Sequence, residues 1–323
     1  MRILVIGGTR FIGPVVVKRL HDAGHAVTLF HRGQSHENTP LDILHICGDR
    51  ARLADFRDTF AQIAPDVVLD MAPATEADAL AVRDVFRGIA RRLVAVSSCD
   101  VYRAFGVVNR TESDAPDPTP IREDAPLRRN LYPHRYDNAP SLGNPRRWKQ
   151  EYDKILVERV VMGNENLPGT ILRLPFVYGP HDYLHRLWPY LSQMVTGQPT
   201  IMLTTRLAGW RSTHGFVGNI AAAIALAVTD DRAQGRIYNV AEPDAPTEAE
   251  WVAEIGQAAG WRGHVIAVPP EELPTAQKET MNTAQPVILD TTRIRQELGY
   301  REAVARPDGL RETVAWERAH PLT

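Results

Sequence analysis

Short apolar runs alternate with amphipathic stretches along the first half of the chain, as buried strands alternate with helices in a βαβ succession. The predicted strands lie at residues 3–6, 26–30, 43–47, 67–71, 93–96 and 169–174, and the predicted helices at residues 15–20, 51–64, 76–90 and 147–162. Such alternation predicts an α/β protein with a doubly wound parallel sheet, whose ligand crevice lies at the carboxyl ends of the strands.

The pattern becomes mixed beyond residue 179, where strands and helices no longer alternate regularly. The predicted helices there lie at residues 187–196, 220–228, 247–260, 290–299 and 307–316, and the predicted strands at residues 236–240 and 265–268. We therefore predict a first part over residues 1–179 and a smaller C-terminal lobe over residues 180–323 that is interleaved with the sheet.

The periodicity breaks down within the first part at residues 103–147, which are rich in proline, arginine and aspartate. A connection of that length inside a compact domain is usually a functional flap or an insertion. Because it leaves the fifth predicted strand at its carboxyl end, we expect a flap beside the ligand crevice. The alternative is a disordered surface insertion without a role.

The first predicted strand runs directly into a glycine turn, residues 7–13, and then into a helix. Gly7 suits the tight turn and Gly13 lets the helix pack close to the strand, whereas Arg10 stands where a middle glycine would admit a phosphate. Backbone N–H groups and the helix dipole favour a pyrophosphate at such a turn, so residues 1–179 are predicted to be a Rossmann-type dinucleotide-binding domain. The residues expected to contact the cofactor here are Gly7, Thr9, Arg10, Phe11, Ile12 and Gly13.

Composition excludes several classes of partner. The 323 residues carry 37 Lys and Arg against 39 Asp and Glu, a formal net charge of −2, so no global charge attracts nucleic acid or a membrane surface. No apolar run approaches the ~18 residues of a membrane span, and Met1 leads straight into a predicted strand, so we expect a cytoplasmic protein with small-molecule partners. Cys47 and Cys99 are expected to be buried free thiols. His181 and His185 lack a third ligand, and no metal site is predicted.

Several short motifs follow one another in order along nearly the whole chain. They are residues 7–13, 49–50, 71–73, 97–102, Lys154 with Glu158, 172–175, 177–180, 298–299 and 307–310. Together they resemble the extended branch of the short-chain dehydrogenase/reductase superfamily, the group that contains UDP-glucose 4-epimerase and sugar-nucleotide dehydratases. The resemblance implies an NAD(P)-dependent epimerase, dehydratase or reductase that acts by hydride transfer on a sugar nucleotide or a similar hydroxylated substrate. It also implies that the C-terminal lobe binds this substrate.

The resemblance also implies roles for individual residues. Ser98 would hydrogen-bond the substrate hydroxyl, and Lys154 would hold the nicotinamide ribose and lower the pKa of an acid/base group. Asp49 would accept a hydrogen bond from the adenine. The further positions that match cofactor-lining residues are Arg50, Met71, Ala72, Pro73, Pro175 and Val177. Two simpler interpretations stay open: Ser97 and Ser98 form a strand-end turn, or Lys154 is a solvated helix charge paired with Glu158.

The sequence departs from the family four residues before the lysine, where a tyrosine is replaced by Gln150, which cannot ionise. Tyr152 is close, but two residues on a helix correspond to ~200° of rotation, so it is expected to point away from Lys154 unless the helix is distorted. Tyr152 remains a candidate for the catalytic phenol. The other candidates are Tyr102, Tyr132 and Tyr136. A binding fold without catalysis is the alternative.

The end of the second predicted strand carries His31 and Arg32, where NAD-specific relatives place an acid that accepts from both ribose hydroxyls. A guanidinium favours a 2′-phosphate, and Arg10 adds positive charge beside the same loop. We therefore expect NADP to bind in preference to NAD.

The glycine turn without the family tyrosine also looks like atypical members related to chloroplast stem-loop RNA-binding proteins, so a cofactor-sensing or RNA-binding protein is the alternative function. Against it, the chain is not basic, and its arginines cluster only around residues 122–147. That cluster suits the diphosphate of a sugar nucleotide, with Tyr102 and Arg211 as expected substrate contacts. The resemblance further implies a homodimer that pairs two helices per subunit, residues 76–90 and 147–162.

Overall fold

The computed structural model describes residues 1–33, 39–40, 42–113, 115–135, 147–274 and 279–322. The strands of this part are β1 (Arg2–Ile6), β2 (Ala26–His31), β3 (Leu44–Cys47), β4 (Val67–Asp70), β5 (Arg92–Ser98), β6 (Gly169–Leu174), β7 (Phe176–Tyr178), β8 (Thr200–Thr204), β9 (His214–Phe216), β10 (Ile237–Asn239) and β11 (His264–Val268). The α-helices are α1 (Ile12–Asp22), α2 (Arg57–Ile63), α3 (Glu76–Phe86), α4 (Arg103–Val108), α5 (Lys154–Met162), α6 (Trp188–Val195), α7 (Thr205–Ala208), α8 (Val217–Thr229), α9 (Glu248–Ala259), α10 (Thr292–Leu298) and α11 (Arg306–Ala319).

Seven strands within these ranges form one parallel sheet in the order β10-β6-β5-β4-β1-β2-β3. The sheet grows from β1 in both directions, because β2 and β3 extend it on one side and β4, β5 and β6 on the other. This confirms the predicted α/β fold with a doubly wound, Rossmann-type sheet. Since all seven strands are parallel, their carboxyl ends share one edge, where such folds bind their ligands.

The C-terminal part of the chain contributes directly to this sheet. β10 pairs with β6, with Ile237 opposite Ile171 and Asn239 opposite Arg173. Two further parallel pairs, β7 with β9 and β8 with β11, lie outside the main sheet. The boundary at residue 179 stays a prediction, and the chain beyond it supplies an edge strand to the sheet.

The main sheet is covered by hydrophobic layers on both faces. Ile3 and Val5 pack in the cluster that includes side chains of α1 and α8, whereas Leu4 and Ile6 pack in the cluster that includes side chains of α2, α3 and α5. Alternate residues of a strand point to opposite faces, so a strand that is buried on both sides is apolar throughout. This explains why continuous apolar runs in the sequence predict the strands.

The segment expected as one helix over residues 147–162 is not one helix. A 3₁₀ helix spans Arg147–Glu151, Tyr152 forms an antiparallel bridge with Thr75, and α5 begins only at Lys154. Asp153 caps α5, because its carboxylate accepts from the backbone N–H of Ile155 at 2.8 Å. The local cap and the bridge to a distant segment together hold residues 152–153 in extended conformation. A 3₁₀ helix, Arg50–Phe56, likewise replaces the first half of the helix expected at 51–64.

The described residues of the flap, 103–113 and 115–135, do not form a detached surface insertion. They contain α4, and Ile121 bridges Leu289 in the C-terminal part. The backbone N–H of Asp117 donates to the side chain of the buried Gln285, which ties the same two segments together. Charged side chains of the flap are buried at Glu112, Asp117, Glu123 and Arg128. Tyr136 and the rest of residues 136–146 lie outside the described residues.

Three smaller expectations meet different outcomes. Both cysteines are free thiols, but Cys47 is exposed, because it ends β3 at the edge of the sheet; only Cys99 of the two is buried. His181 and His185 lie in a turn with positive φ values of 66° and 47°, beside the ring of Trp316, so they do not share a helix face. Within the described ranges no group of three potential ligands is placed to hold a metal ion. Among those residues, too, no helix is long and apolar enough to cross a membrane.

Candidate cofactor and active site

The turn between β1 and α1 has the backbone geometry that a pyrophosphate requires. Gly7 has a φ of +80°, and a Cβ on Gly13 would lie 2.5 Å from the Gly8 backbone, so the two positions need glycine for conformation and for space. Phe11 is the N-cap residue of α1 and provides no side-chain cap, and the first turn carries no acidic residue. Backbone N–H groups at this helix start are therefore suited to an anionic ligand. The exposed Arg10 adds a positive charge beside them.

The end of β2 is shaped by two histidines. His31 is buried, and its Nδ1 accepts the backbone N–H of Gly33 at 3.0 Å. Its Nε2 lies 2.8 Å from Nδ1 of His45 on β3. Arg32 between them in sequence is exposed. His31 thus stabilises the turn at Gly33 through a buried hydrogen bond, whereas the side chain of Arg32 lies at the surface.

An ion-pair cluster around the buried Asp70 joins the ends of β3 and β4. Arg50 donates from one terminal nitrogen to Asp70 Oδ1 at 2.8 Å, and its Nε lies 2.9 Å from Asp78 Oδ1 on α3. Burial disfavours the Arg50 charge, but the two carboxylates outweigh it and raise the pKa of Arg50 above its ordinary value. Asp70 also accepts the backbone N–H of Ala72 at 3.2 Å. Arg50 is one of the residues predicted to line the cofactor. In the structure it binds Asp70, which in turn holds the backbone of residues 70–72.

Asp49, the predicted adenine contact, is exposed at the end of β3. Its Oδ1 accepts the N–H of Ala51 at 2.9 Å and caps the following 3₁₀ helix. Of the neighbouring predicted positions, Ala72 is exposed, Met71 is half-buried and Pro73 is buried. The three residues follow β4 directly and stand at the edge of the sheet that carries the glycine turn.

Lys154 is buried between the ends of β4 and β5. Its Nζ donates to the carbonyl of Pro73 at 2.6 Å and to the carbonyl of Val96 at 3.0 Å. Burial lowers the pKa of Lys154 to about 8, although nearby Asp100 and Asp70 favour the charged form. The interpretation of Lys154 as a solvated charge paired with Glu158 is therefore wrong.

Glu158 belongs to a different, interior network. It accepts from Arg173 at 2.7 Å and from the Ser97 hydroxyl at 2.6 Å. Arg173 also donates to the hydroxyl of Tyr102 at 2.9 Å, and that hydroxyl donates to Asn239 at 2.7 Å. Tyr102 is buried and its hydroxyl is used within the protein, so the geometry offers no support for its predicted substrate contact.

Tyr152 lies immediately before α5, and its hydroxyl donates to Asp100 Oδ2 at 2.5 Å. The rotation argument against Tyr152 fails, because residues 150–152 are not in the α-helix that begins at Lys154. Asp100 lies in the 3₁₀ turn after β5, and its negative charge also acts on Lys154. The structure thus gathers Tyr152, Lys154 and Asp100 at the carboxyl ends of the central strands.

Ser98 ends β5 and caps the turn that contains Asp100. Its Oγ accepts the backbone N–H of Asp100 at 3.2 Å, and the residue is half-buried. The strand-end turn interpretation therefore describes its local contacts, while its place at the end of β5 still suits a substrate hydroxyl. Asp100 was missed in the sequence, although it stands only two residues after Ser98 at the end of a central strand.

The remaining predicted residues are spread around this edge. Pro175 is half-buried and Val177 is buried, both just beyond β6. Arg211 is exposed, and its guanidinium donates to the Ala245 carbonyl at 2.8 Å. Tyr132 has a φ of 56° and lies under the guanidinium of Arg135, 3.6 Å from the ring centre. The backbone N–H of Tyr132 donates to the carboxylate of Asp153, between Tyr152 and Lys154 in sequence, at 2.6 Å. Among the hydrogen bonds of the described residues, Arg211 has none to Tyr152 or Lys154.

A doubly wound sheet with a glycine turn after β1 and a buried lysine at the ends of β4 and β5 defines a dinucleotide-binding α/β protein. Residues 3–126 and 143–241 match the model of the NAD dependent epimerase/dehydratase family. The chain belongs to that family. It is accordingly an NAD-dependent, oxidoreductase-type protein whose family chemistry is hydride transfer on hydroxylated substrates.

Individual relatives are distant. The chain is 23% identical over 335 residues to a UDP-N-acetyl-alpha-D-glucosaminuronate decarboxylase of Bacillus cytotoxicus, covering 98% of each chain. It is 23% identical over 254 residues to the chloroplast stem-loop binding protein of 41 kDa b of Arabidopsis thaliana; this match spans 74% of this chain but only 58% of that protein. The solved UDP-glucose 4-epimerase of Thermus thermophilus in complex with NAD superposes with a TM-score of 0.68 at 22% identity, covering 99% and 100% of the two chains.

Proposed function

We propose that this protein transfers hydride between NAD(P) and a carbinol carbon of a sugar nucleotide or a similar hydroxylated substrate, with Tyr152 as the acid/base phenol. The observation that carries the proposal is the group formed by the buried Lys154 with the half-buried Tyr152 and Asp100 at the ends of β4 and β5. A phenol, a cation and a carboxylate in one place are the means to move a proton while the substrate is oxidised or reduced.

The described residues fit a nicotinamide dinucleotide. The uncapped start of α1 and the glycine turn at Gly7 suit the pyrophosphate, while the ends of β2 and β3 offer an exposed Arg32 and Asp49 for the adenosine half. When bound, the nicotinamide supplies the site that takes up or returns the hydride. Lys154 would hold the ribose hydroxyls with its ammonium, and Ser98 would orient the substrate hydroxyl.

Turnover with defined probes tests this function. Purified protein is incubated with NAD or NADP and with UDP-glucose, dTDP-glucose or UDP-N-acetylglucosamine, and products are separated by chromatography. We expect cofactor binding and a product from at least one probe, with Tyr152→Phe reducing the rate by about 10²–10⁴-fold. The exposed neighbour Glu151→Gln serves as the control and should keep the rate of the unmutated protein. No binding of either cofactor would refute the proposal.

A preference for NADP is the finer part of the cofactor proposal. Arg32 and Arg10 are both exposed beside the adenosine end of the site. Neither carries an ion pair to a described acidic residue, so their guanidiniums are available to a 2′-phosphate. We further propose a cytoplasmic location, which the two free cysteines support because thiols persist in reducing compartments.

The second candidate is an RNA-binding or cofactor-sensing protein, and the observation that favours it is the match to a chloroplast stem-loop binding protein. The net charge of −2 gives it no electrostatic footprint for nucleic acid. A gel-shift titration with a stem-loop RNA, with and without NADP, separates the two functions. Retention of RNA at physiological salt together with absence of turnover would favour the second candidate.

A further inference from the structure

Asp100 lies behind the phenol of Tyr152 with unused capacity to accept a proton. Its Oδ2 accepts the Tyr152 hydroxyl, and its Oδ1 is buried without a hydrogen-bond partner among the described residues. Arg128 packs against the same turn, but it donates to the backbone carbonyl of Asp100 at 2.5 Å and pairs with the carboxylate of Asp153 at 3.6 Å. A carboxylate oxygen that is shielded from solvent without a hydrogen-bond partner makes the ionised form of Asp100 costly, which calls for an explanation beyond packing.

We infer that Asp100 is the proton-accepting partner of Tyr152, so that the phenol relays a proton between the substrate hydroxyl and the Asp100 carboxylate. The inference rests on the proposed function, because it requires a carbinol beside the phenol. It assigns to Asp100 a positioning and proton-holding role that acts through Tyr152.

The relay conserves atoms and electrons. In the oxidising direction the carbinol O–H bond breaks and its proton joins the Tyr152 oxygen, while the phenol's own proton passes to Asp100 Oδ2. The electron pair of the carbinol C–H bond leaves as hydride to the nicotinamide, the named oxidant, and a C=O bond forms. In the reducing direction the carboxyl returns its proton through the phenol to the carbonyl oxygen.

The electrostatics of the pair favour a relay over a free tyrosinate. Burial, followed by the Asp100 charge, raises the pKa of Tyr152 well above its ordinary value, so the phenol keeps its proton at neutral pH. Burial also raises the pKa of Asp100, against the Tyr152 bond and the positive charges of Arg128 and Lys154. The neighbouring Asp153 acts in the same direction as burial. The relay needs no separate tyrosinate, because the Tyr152 oxygen passes its own proton to Asp100 as it takes up the proton of the carbinol.

A spectroscopic titration tests the pairing without any substrate. Tyrosinate absorbance is followed against pH in the unmutated protein and in Asp100→Asn, and Tyr152→Phe in each background isolates the signal of Tyr152. Removing the negative neighbour should let the phenol ionise at lower pH, by about one unit or more. Asp100→Glu keeps the charge and should leave the phenol titration near that of the unmutated protein. An Asp100→Asn curve that coincides with the unmutated curve would overturn the inference.

Turnover tests the relay itself. With the sugar-nucleotide probe that gives product, Asp100→Asn is expected to lose about 10²-fold or more in kcat and to lose the acidic limb of the pH–rate profile. Its NAD(P) dissociation constant should stay within about twofold of the unmutated value, which shows that the fold and cofactor site are intact. Asp100→Glu should recover part of the rate together with the acidic limb. An Asp100→Asn enzyme with the unmutated rate and pH profile would overturn the relay.

Failure of the proposed function has a different signature. Unmutated protein that gives no product with any probe contradicts the hydride-transfer proposal, whereas the phenol titration still decides for or against the Tyr152–Asp100 pair. Conversely, an active enzyme whose rate depends on Tyr152 and not on Asp100 keeps the proposed function and removes the relay.

Discussion

Lys154 is a residue of the candidate site whose charge changes within the ordinary range of pH. Its pKa is lowered by burial from 10.5 to about 8, so the ammonium is present below about pH 8 and is lost above it. The affinity for NAD(P) should therefore fall as pH rises through about 8, measured by fluorescence titration at each pH. Lys154→Met should weaken binding below about pH 8, where the ammonium is present, remove this pH dependence and abolish turnover.

Gln150→Ala provides the comparison for Lys154, because Gln150 lies in the 3₁₀ segment and has no ionisable group. Its rate should stay within about tenfold of the unmutated rate, since a neutral hydrogen bond contributes only about 0.5–1.5 kcal/mol. A pH-independent affinity in the unmutated protein would argue that the Lys154 ammonium does not contact the cofactor.

Arg32 carries the prediction on cofactor choice. NADP(H) should bind more tightly than NAD(H), because charge-assisted bonds to the 2′-phosphate are worth about 1.5–3 kcal/mol. Arg32→Ala should remove the difference, as read from paired calorimetric titrations with the two cofactors. Lys18→Ala, an exposed cation of α1 that already pairs with Asp22, should leave it unchanged. Equal affinities before mutation would contradict the prediction.

At the next level, one buried ion pair joins a helix to the sheet. Glu158 of α5 and Arg173 of β6 are both almost inaccessible to solvent, with exposed fractions of 4% and 2%. Glu158→Ala should lower the free energy of unfolding by about 3–5 kcal/mol, because it leaves the charge of Arg173 buried without its carboxylate partner. Urea unfolding measures the change. The adjacent exposed Arg159→Ala should shift it by less than about 0.5 kcal/mol, and equal losses for both variants would count against the argument.

The elements that could be predicted are those whose signal is local. β1, the glycine turn and α1 follow from an apolar run, a conformational need for glycine and an amphipathic period within a few residues. Thr247 with Glu250 likewise forms a local capping box at the start of α9, within the helix predicted at residues 247–260. The start of α5 could not be predicted, because residues 152–153 are extended through a bridge to Thr75, far away in sequence.

The candidate site divides in the same way. Lys154 was found because family spacing marks it, and its burial could not be foreseen because the carbonyls that hold it belong to Pro73 and Val96 on other elements. Asp100 was missed because a carboxylate after a strand has no distinctive spacing. Only the folded chain places it against Tyr152.

Considered over the whole molecule, stability should depend on one buried acid of the last helix. Glu317 is fully buried on α11, and burial raises its pKa from 4.5 to about 7. The carboxyl group therefore ionises at lower pH in the unfolded chain than in the folded protein, and stability falls as pH rises from about 4.5 to about 7, by about 3 kcal/mol. Glu317→Gln should be the more stable protein at pH ~8 and gain little at pH ~5, by urea unfolding at both values. The exposed Glu312→Gln of the same helix is the control.

The predicted homodimer is the other property of the whole molecule. The apolar side chains of the two helices that would form its interface are Leu80, Val82, Phe86, Ile155, Val157 and Val160. Four of these six, Val82, Phe86, Ile155 and Val157, are buried inside one subunit. The prediction now depends on the half-buried Leu80 and Val160. Light scattering at micromolar concentration should give a dimer mass, and Leu80→Glu with Val160→Glu should give a monomer. A monomer mass before mutation would contradict the prediction.

The pairing of β10 with β6 also constrains the order in which the sheet can form during synthesis. The edge of β6 that pairs with β10 stays unpaired until residues 237–239 have left the ribosome. At about 5–20 residues per second that interval lasts several seconds. During those seconds β6 is an unpaired strand edge next to the candidate site, and such an edge can pair with a strand of another chain until β10 covers it.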